Sequence, residues 1–206
     1  MKKGAFVVIE GLDGSGKTTL SHLIRQVLAK DGQAMYTREP GGTTYSEDLR
    51  TLMFRSNLET QAFLYGMLSA RADLCSNVLR QTLDSGITVI CDRYFHSTFA
   101  YQGVTHELRD HIKAAANASW FIKPDLVIQL NCDPEVALGR VNARAGDKNV
   151  FDTAELGVFS QRCDRYAIAG DFLYGESVDH VQIDVTESYA DRHIDDIIKY
   201  IKQITA

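Results

Sequence analysis

Two rhythms of apolar residues alternate along the 206-residue chain. Short β-rich runs, such as AFVVI at 5–9 and ITVIC at 87–91, alternate with longer stretches in helical period. The pattern predicts strands at 5–9, 33–37, 87–91, 126–130 and 180–183. Helices are predicted at 18–29, 44–54, 59–84, 107–120, 135–143, 154–169 and 189–203. In the last of these Ile194, Ile197, Ile198 and Ile201 repeat at helical spacing, so one face docks on the sheet. Strands separated by helices imply an α/β fold, a doubly wound, parallel, five-stranded sheet covered by helices on both faces. No internal repeat and no Pro/Gly-rich linker divides the chain, so residues 1–206 form one domain. The stretch ARAGDKNVFD, about 143–152, lacks periodicity and reads as a short lid.

Composition narrows the function classes. With 45% hydrophobic and 24% charged residues the chain is globular, neither disordered nor collagen-like. A net charge of -5 argues against a nucleic-acid scaffold. The longest apolar runs are too short to span a bilayer. The beginning, MKK followed by a short apolar run and Glu10, lacks a signal-peptide core. The expectation is a soluble cytoplasmic protein with no membrane partner. Cys75, Cys91, Cys132 and Cys163 are widely separated, with no C-x-x-C pair and no zinc spacing, which disfavours a disulfide framework or a structural metal. Cys91 and Cys132 end apolar runs and read as small buried hydrophobes. The scattered histidines, such as His22 and His193, read as surface residues.

The strongest chemical signal is GLDGSGKTT, Gly11 to Thr19, directly after the first strand and opening the first helix. It satisfies G-x-x-x-x-G-K-[ST] through Gly11, Gly16, Lys17 and Thr18. Glycines let the backbone turn its N–H groups toward phosphate oxygens, here with Asp13, Gly14, Ser15 and Thr19 in the same cradle. The helix N-terminus adds its dipole, Lys17 adds charge near the β- and γ-phosphates, and the Thr18 hydroxyl suits magnesium. Asp92 ends the apolar strand ITVICD, where a carboxylate can hold magnesium or its waters. No N-K-x-D or T-K-x-D motif follows, which disfavours a GTPase switch.

Further motifs accompany the cradle in order: TREPGGT (37–43), SARA (69–72), CDRYFHSTFAYQG (91–103) and KPDLVIQL (123–130). With them the chain resembles the thymidylate kinases, P-loop enzymes that phosphorylate dTMP with ATP, from Phe6 to the C-terminal helix. A phosphoryl transfer between two nucleotides needs two phosphate sites that face each other with positive charge between them. The resemblance makes Arg38 and Arg93 the grip on the acceptor phosphate and Asp13 the partner of the sugar 3′-hydroxyl. It puts Arg71, Thr98 and Gln102 around the base, Tyr101 where a 2′-hydroxyl would sit, and Ser97 and Glu155 among the substrate-binding residues. Pro40 shapes the loop that carries Arg38. Arg140 and Arg144 resemble lid arginines over the donor phosphates. With Gly14 in the loop, transition-state charge comes from that lid, with Arg144 the first choice beside Lys17, Asp92 and Arg93. Asp152 and Glu155, followed by Phe159, match the acidic D-x-x-E after the lid.

Three places depart from the family pattern. Met67 stands where an aromatic platform is usual, with Phe63 one turn earlier on the same helical face as the other candidate. Thr153 follows Asp152 where arginine is common, and 103–110 lacks a Gly/Arg-rich loop. The resemblance implies Mg-ATP as donor, dTMP as acceptor and a homodimer built on helix faces. A kinase for another deoxynucleoside monophosphate and a P-loop binding protein without transfer activity are the competing readings.

Overall fold

A computed structural model of the chain describes residues 3–30, 34–143, 155–188 and 190–205. Strands β1 (Phe6–Gly11), β2 (Ala34–Arg38), β3 (Thr88–Asp92), β4 (Leu126–Asn131) and β5 (Asp179–Asp184) make one sheet in the order β2-β3-β1-β4-β5, every pair parallel. β1 and β3 are buried along their whole length, as strands covered on both faces must be. Alternate residues of β1 feed opposite layers. Val7 and Ile9 join Leu20, Ile24, Ile197 and Ile201 on one side. Phe6 and Val8 join Leu64, Leu79, Phe95 and Phe99 on the other. The register pairs Asp92 with Ile9 on one flank and with Arg38 on the other. The carboxyl ends of the three strands therefore share one edge.

The helices are α1 (Lys17–Leu28), α2 (Thr44–Arg55), α3 (Thr60–Leu74), α4 (Arg80–Asp84), α5 (Phe95–Gln102), α6 (His106–Ala116), α7 (Pro134–Asn142), α8 (Leu156–Leu173) and α9 (Ile194–Thr205). Their starts follow capping chemistry. Thr43 accepts from the Ser46 N–H, Thr105 from Leu108, and Asp133 from Glu135 and Val136, with Pro134 in the first turn. The long helix expected over 59–84 is interrupted by a π-helical segment, Cys75–Leu79. The helix expected to reach Trp120 ends at Ala116. There the Asn117 side chain caps the Lys113 carbonyl and donates to Leu173 as well.

Sequence periodicity missed α5, which runs through the FHSTFAYQ of the long motif. All its residues except Tyr101 are buried, so there is no polar face to mark a helical period. The Glu39–Pro40 bond is cis. The four cysteines are free thiols, Cys91 and Cys132 both buried. Among the described residues no helix is long and apolar enough to cross a membrane. The lid expected over 143–152 lies, apart from Ala143, outside the described residues.

α5 also buries His96, whose Nε2 meets Nε2 of His180 on β5 at 3.2 Å, while its Nδ1 has no hydrogen-bond partner. His180 holds the Val178 carbonyl at 2.9 Å through Nδ1. Burial, with His180 beside it, pushes His96 down from 6.5 to about 3. The folded protein therefore keeps His96 neutral while the unfolded chain takes up a proton below pH 6.5. Stability is fully present above that pH and lost as pH falls toward 3, at about 1.4 kcal/mol per pH unit for one group. Replacing His96 by Phe should flatten this slope by about that amount in urea titrations run between pH 6.5 and 4. An unchanged slope would show that another group governs acid unfolding.

Candidate active site

The loop between β1 and α1 crosses the edge where the strands end. Gly16 precedes α1 in the left-handed region, φ 91°, and no side chain caps the helix, so its first N–H groups stay open to an anion. A Cβ on Gly11 would stand 2.4 Å from the Leu130 carbonyl oxygen, and one on Gly14, at φ 86°, 2.3 Å from that of Ala137. Close backbone approach thus demands glycine at both. Lys17 folds over the loop, its Nζ donating to the Leu12 carbonyl at 2.6 Å. Burial, with Arg93 repelling it, pushes the ammonium down to about 8. Ser15 Oγ is buried without a partner. Thr18 Oγ1 donates to Asp92 Oδ2 at 2.5 Å, and Asp92 Oδ1 is buried without a partner.

A second group of side chains is organised by Arg93, whose φ of 76° is left-handed, a region that costs a residue with a Cβ. Its guanidinium donates to Ser97 Oγ at 3.0 Å and to the Tyr166 hydroxyl at 3.4 Å, and it forms an ion pair with Asp13. Tyr101 donates its hydroxyl to the other Asp13 oxygen. Burial alone would raise the Asp13 carboxyl, but Arg93 and Lys17 beside it hold it well below the usual carboxylate range. Behind them Glu10, fully buried on β1, accepts from Tyr94 N at 2.7 Å, Ser97 N at 3.1 Å and Ser97 Oγ at 2.6 Å. That carboxylate, borrowed from another strand, is the cap α5 lacks in its own sequence.

The far wall comes from β2, α2 and α3. Arg38 pairs with Glu47 at 3.1 Å, both about half exposed, which makes the contact a weak one. Arg50 donates to the Pro40 carbonyl at 3.1 Å and lies over the Phe54 ring. Phe63 and Met67 are both buried and both line the cleft, so each of the two platform candidates belongs to the wall, with Phe54 edge-on to Phe63. Arg71 is fully buried; its Nη2 meets Glu39 at 2.6 Å and Thr98 Oγ1 at 2.9 Å, and Phe95 lies 3.9 Å from its guanidinium carbon. Arg71 Nη1 and Glu39 Oε1 are buried without partners. Burial pushes the Glu39 carboxyl up to about 7, with Arg71 opposing the shift.

The cleft brings together Asp13, Gly16, Lys17, Thr18, Thr19, Arg38, Phe63, Met67, Asp92, Arg93, Ser97, Tyr101 and Gln102. Arg71 and Thr98 sit behind its wall. Arg140 does not join it: this side chain donates to Cys132 Sγ at 3.4 Å and to the Thr186 carbonyl at 3.1 Å, at the ends of β4 and β5. Glu155 is exposed at the start of α8. Arg144 lies outside the described residues. Sequence reading missed Tyr36, Glu39, Arg50 and Phe54, which line the same cleft, and Glu10, Arg162 and Tyr166 behind it. A signal existed for two of these. Glu10 is a charge at the end of an apolar strand, and Arg162 falls on the apolar period of Phe159, Tyr166 and Leu173.

A parallel sheet with a glycine cradle opening α1, and a basic cleft at the strand ends, defines a P-loop nucleoside monophosphate kinase fold. The family model described as thymidylate kinase matches residues 9–170, and the chain belongs to that family of phosphotransferases. It is 39% identical over 140 residues to the thymidylate kinase of Neorickettsia sennetsu, covering 66% of this chain and 70% of that protein. Identity to the Hahella chejuensis thymidylate kinase is 36% over 152 residues, 70% of this chain and 72% of the relative. With the Haemophilus ducreyi thymidylate kinase it is 36% over 171 residues, 80% and 79%.

The buried Arg71–Glu39 pair generates a stability test. Removing Glu39 strands a guanidinium that has no access to water, so Glu39→Ala should cost about 3–5 kcal/mol. Adding Arg71→Met should restore a large part of that loss, because the stranded charge disappears with it. Urea unfolding of both variants reads the difference. A double variant no more stable than the single one would show that the pair's charges are not what makes Glu39→Ala costly.

Proposed function

We propose that this protein transfers the γ-phosphoryl group of ATP to dTMP, giving dTDP and ADP. The observation that carries the reading is one cleft with a phosphate cradle on one side and Arg38 and Arg93 on the other. A nucleotide binder needs the first side only; a kinase for nucleoside monophosphates needs both. The cradle's open N–H groups and Lys17 take the ATP phosphates. Arg38, Arg50 and Arg93 grip the acceptor phosphate, as forked cations suited to it. Asp13 holds the sugar 3′-hydroxyl, and Tyr101 walls off the 2′ position. Phe63, Met67 and Phe54 flank the base. Arg71 Nη1, the buried donor without a partner, serves its exocyclic oxygen, with Thr98 and Gln102 completing the edge.

Thr18 and Asp92 offer hard oxygen donors 2.5 Å apart, one carboxylate oxygen of which lacks a partner. This suits magnesium, which takes few protein ligands and keeps its waters. Bound there with ATP, the ion would neutralise charge on the donor phosphates. The protein's own work is alignment and charge. The acceptor oxygen attacks in line with no covalent enzyme intermediate, the arginines offset repulsion between two anions, and Lys17 follows the moving phosphoryl group. Arg144 brings a further guanidinium to the transferring phosphate, and Glu155 belongs to the acceptor side.

We further propose a homodimer in the cytoplasm. Tyr45 and Leu52 on α2 and Tyr65 on α3 are exposed, with Tyr45 pinned to Ser69 of α3 at 2.7 Å. That is an apolar stripe on neighbouring helices suited to a second copy. Four free thiols fit a reducing compartment. Light scattering should give twice the 23.0 kDa chain mass, and Leu52→Glu should return it to one.

Catalysis is tested by ADP release from Mg-ATP with a panel of nucleoside monophosphates. dTMP should be the best acceptor and UMP much poorer than dUMP, by roughly 10-fold or more. Activity with none of them would leave a binding protein, and a better acceptor than dTMP would change the substrate. Lys17→Ala should lower kcat on the order of a hundredfold while the fold persists. Arg144→Ala should lower kcat and leave the KM for dTMP nearly unchanged, as for a contact made in the transition state.

A further inference from the structure

α8 turns Phe159, Arg162, Tyr166, Ala169 and Leu173 inward. Four of these belong in a core. Arg162 is charged, yet only 5% exposed, and burying a guanidinium is costly unless its neighbours repay the lost water. Two aromatic rings lie against it: its guanidinium carbon is 4.3 Å from the Tyr101 ring centre and 5.5 Å from that of Phe159. Its charge also reaches Asp13 and helps hold that carboxylate ionised. Asp13 in turn accepts the Tyr101 hydroxyl. Tyr101 is therefore held by a hydrogen bond at its tip and by a cation over its face. Among the described residues Arg93 also comes near this ring, at 5.4 Å, but it lines the cleft and pairs with Asp13 itself. Arg162 is not among the lining residues.

We propose that Arg162 is the positioning residue for Tyr101: it fixes the phenol ring as the wall of the sugar subsite and thereby sets the preference for deoxyribose over ribose acceptors, without touching substrate. This rests on the reading of Tyr101 as the 2′ wall. The physical need is plain. One hydrogen bond at the para position leaves the ring free to tilt about its own long axis, and a tilting ring yields to a hydroxyl that a fixed ring rejects. A desolvated guanidinium over the ring face opposes that tilt. Such contacts are worth from about fivefold to about thirtyfold in an equilibrium as they are shielded from water. The wall is thus built from two helices, with Tyr101 on α5 and its backing on α8, and its rigidity depends on how they pack.

The experiment compares kcat/KM for dUMP and UMP in the native enzyme, Arg162→Met and Arg162→Lys. Met keeps length and apolar stem but removes charge and plane; Lys keeps charge without the plane. Arg162→Met should shrink the dUMP-to-UMP ratio about fivefold or more, and Arg162→Lys by a smaller factor. In a Tyr101→Ala background the Met substitution should change the ratio no further, because the wall is already gone. A purely structural arginine would lower both efficiencies together and leave the ratio alone. A native preference that persists unchanged in Arg162→Met overturns the role of Arg162 while leaving the Tyr101 reading intact. If the Met variant does not fold, an unchanged ratio in Arg162→Lys does the same. A native enzyme that treats UMP and dUMP alike overturns both readings together.

Discussion

Glu10 sits at the end of the central strand with no exposure to water, and much of the cleft is built on satisfying it. Burial raises its carboxyl above the ordinary range. Two backbone N–H groups, the Ser97 hydroxyl and, at 3.5 Å, that of Tyr166 converge on its oxygens. The two N–H groups are those that start α5, so the same bonds fix where that helix begins. They also hold in place Arg93, the residue before the Tyr94 N-cap, in a left-handed conformation that its side chain would not choose. Through Ser97 the anchoring continues to the Arg93 guanidinium. Strand β1 thus sets the glycine loop with Gly11 and the placement of Arg93 with Glu10, two adjacent positions on one rigid element.

The charges in the cleft are arranged against the character of the whole chain. The sequence carries a net -5, yet Lys17, Arg38, Arg50 and Arg93 face one hollow. Asp13 lies among them, and Arg93 and Lys17 keep it ionised. Local cations within a low-dielectric cleft act more strongly on a phosphate than the screened charge of the surface opposes it. Crowding also has a cost on the cations: burial and Arg93 leave Lys17 easier to deprotonate than an exposed lysine. Polyphosphate entering the cradle would offset that repulsion, so occupancy and the charge state of Lys17 support each other.

Arginine serves three separate ends here, each set by surroundings. Arg38 is half exposed and weakly paired, available to a ligand. Arg71 is sealed in the core between Glu39, Thr98 and aromatic faces, which leaves one nitrogen without a partner. Arg162 spends its plane on Tyr101. Side-chain chemistry alone does not distinguish these cases; burial and the neighbouring ring or carboxylate do.

The sequence by itself determined the sheet, the cradle and most of the cleft's cast. Strand runs and glycine spacing are local signals, carried by neighbours along the chain and by backbone geometry that only glycine allows, as at Gly11 and Gly14. What tertiary structure decided is of another kind. α5 was invisible because it is buried on nearly all sides, and hydrophobic period needs a polar face to contrast with. Arg140 sits on α7, next to the stretch that reads as a lid, but its side chain donates to Cys132 and Thr186 at the ends of β4 and β5. Glu10 and Arg162 meet partners 84 and 61 positions away in the chain, Tyr94 and Tyr101. Such contacts depend on which helix packs beside which strand, and on the cost of leaving a charge buried without a partner. Neither is written in any local stretch of sequence.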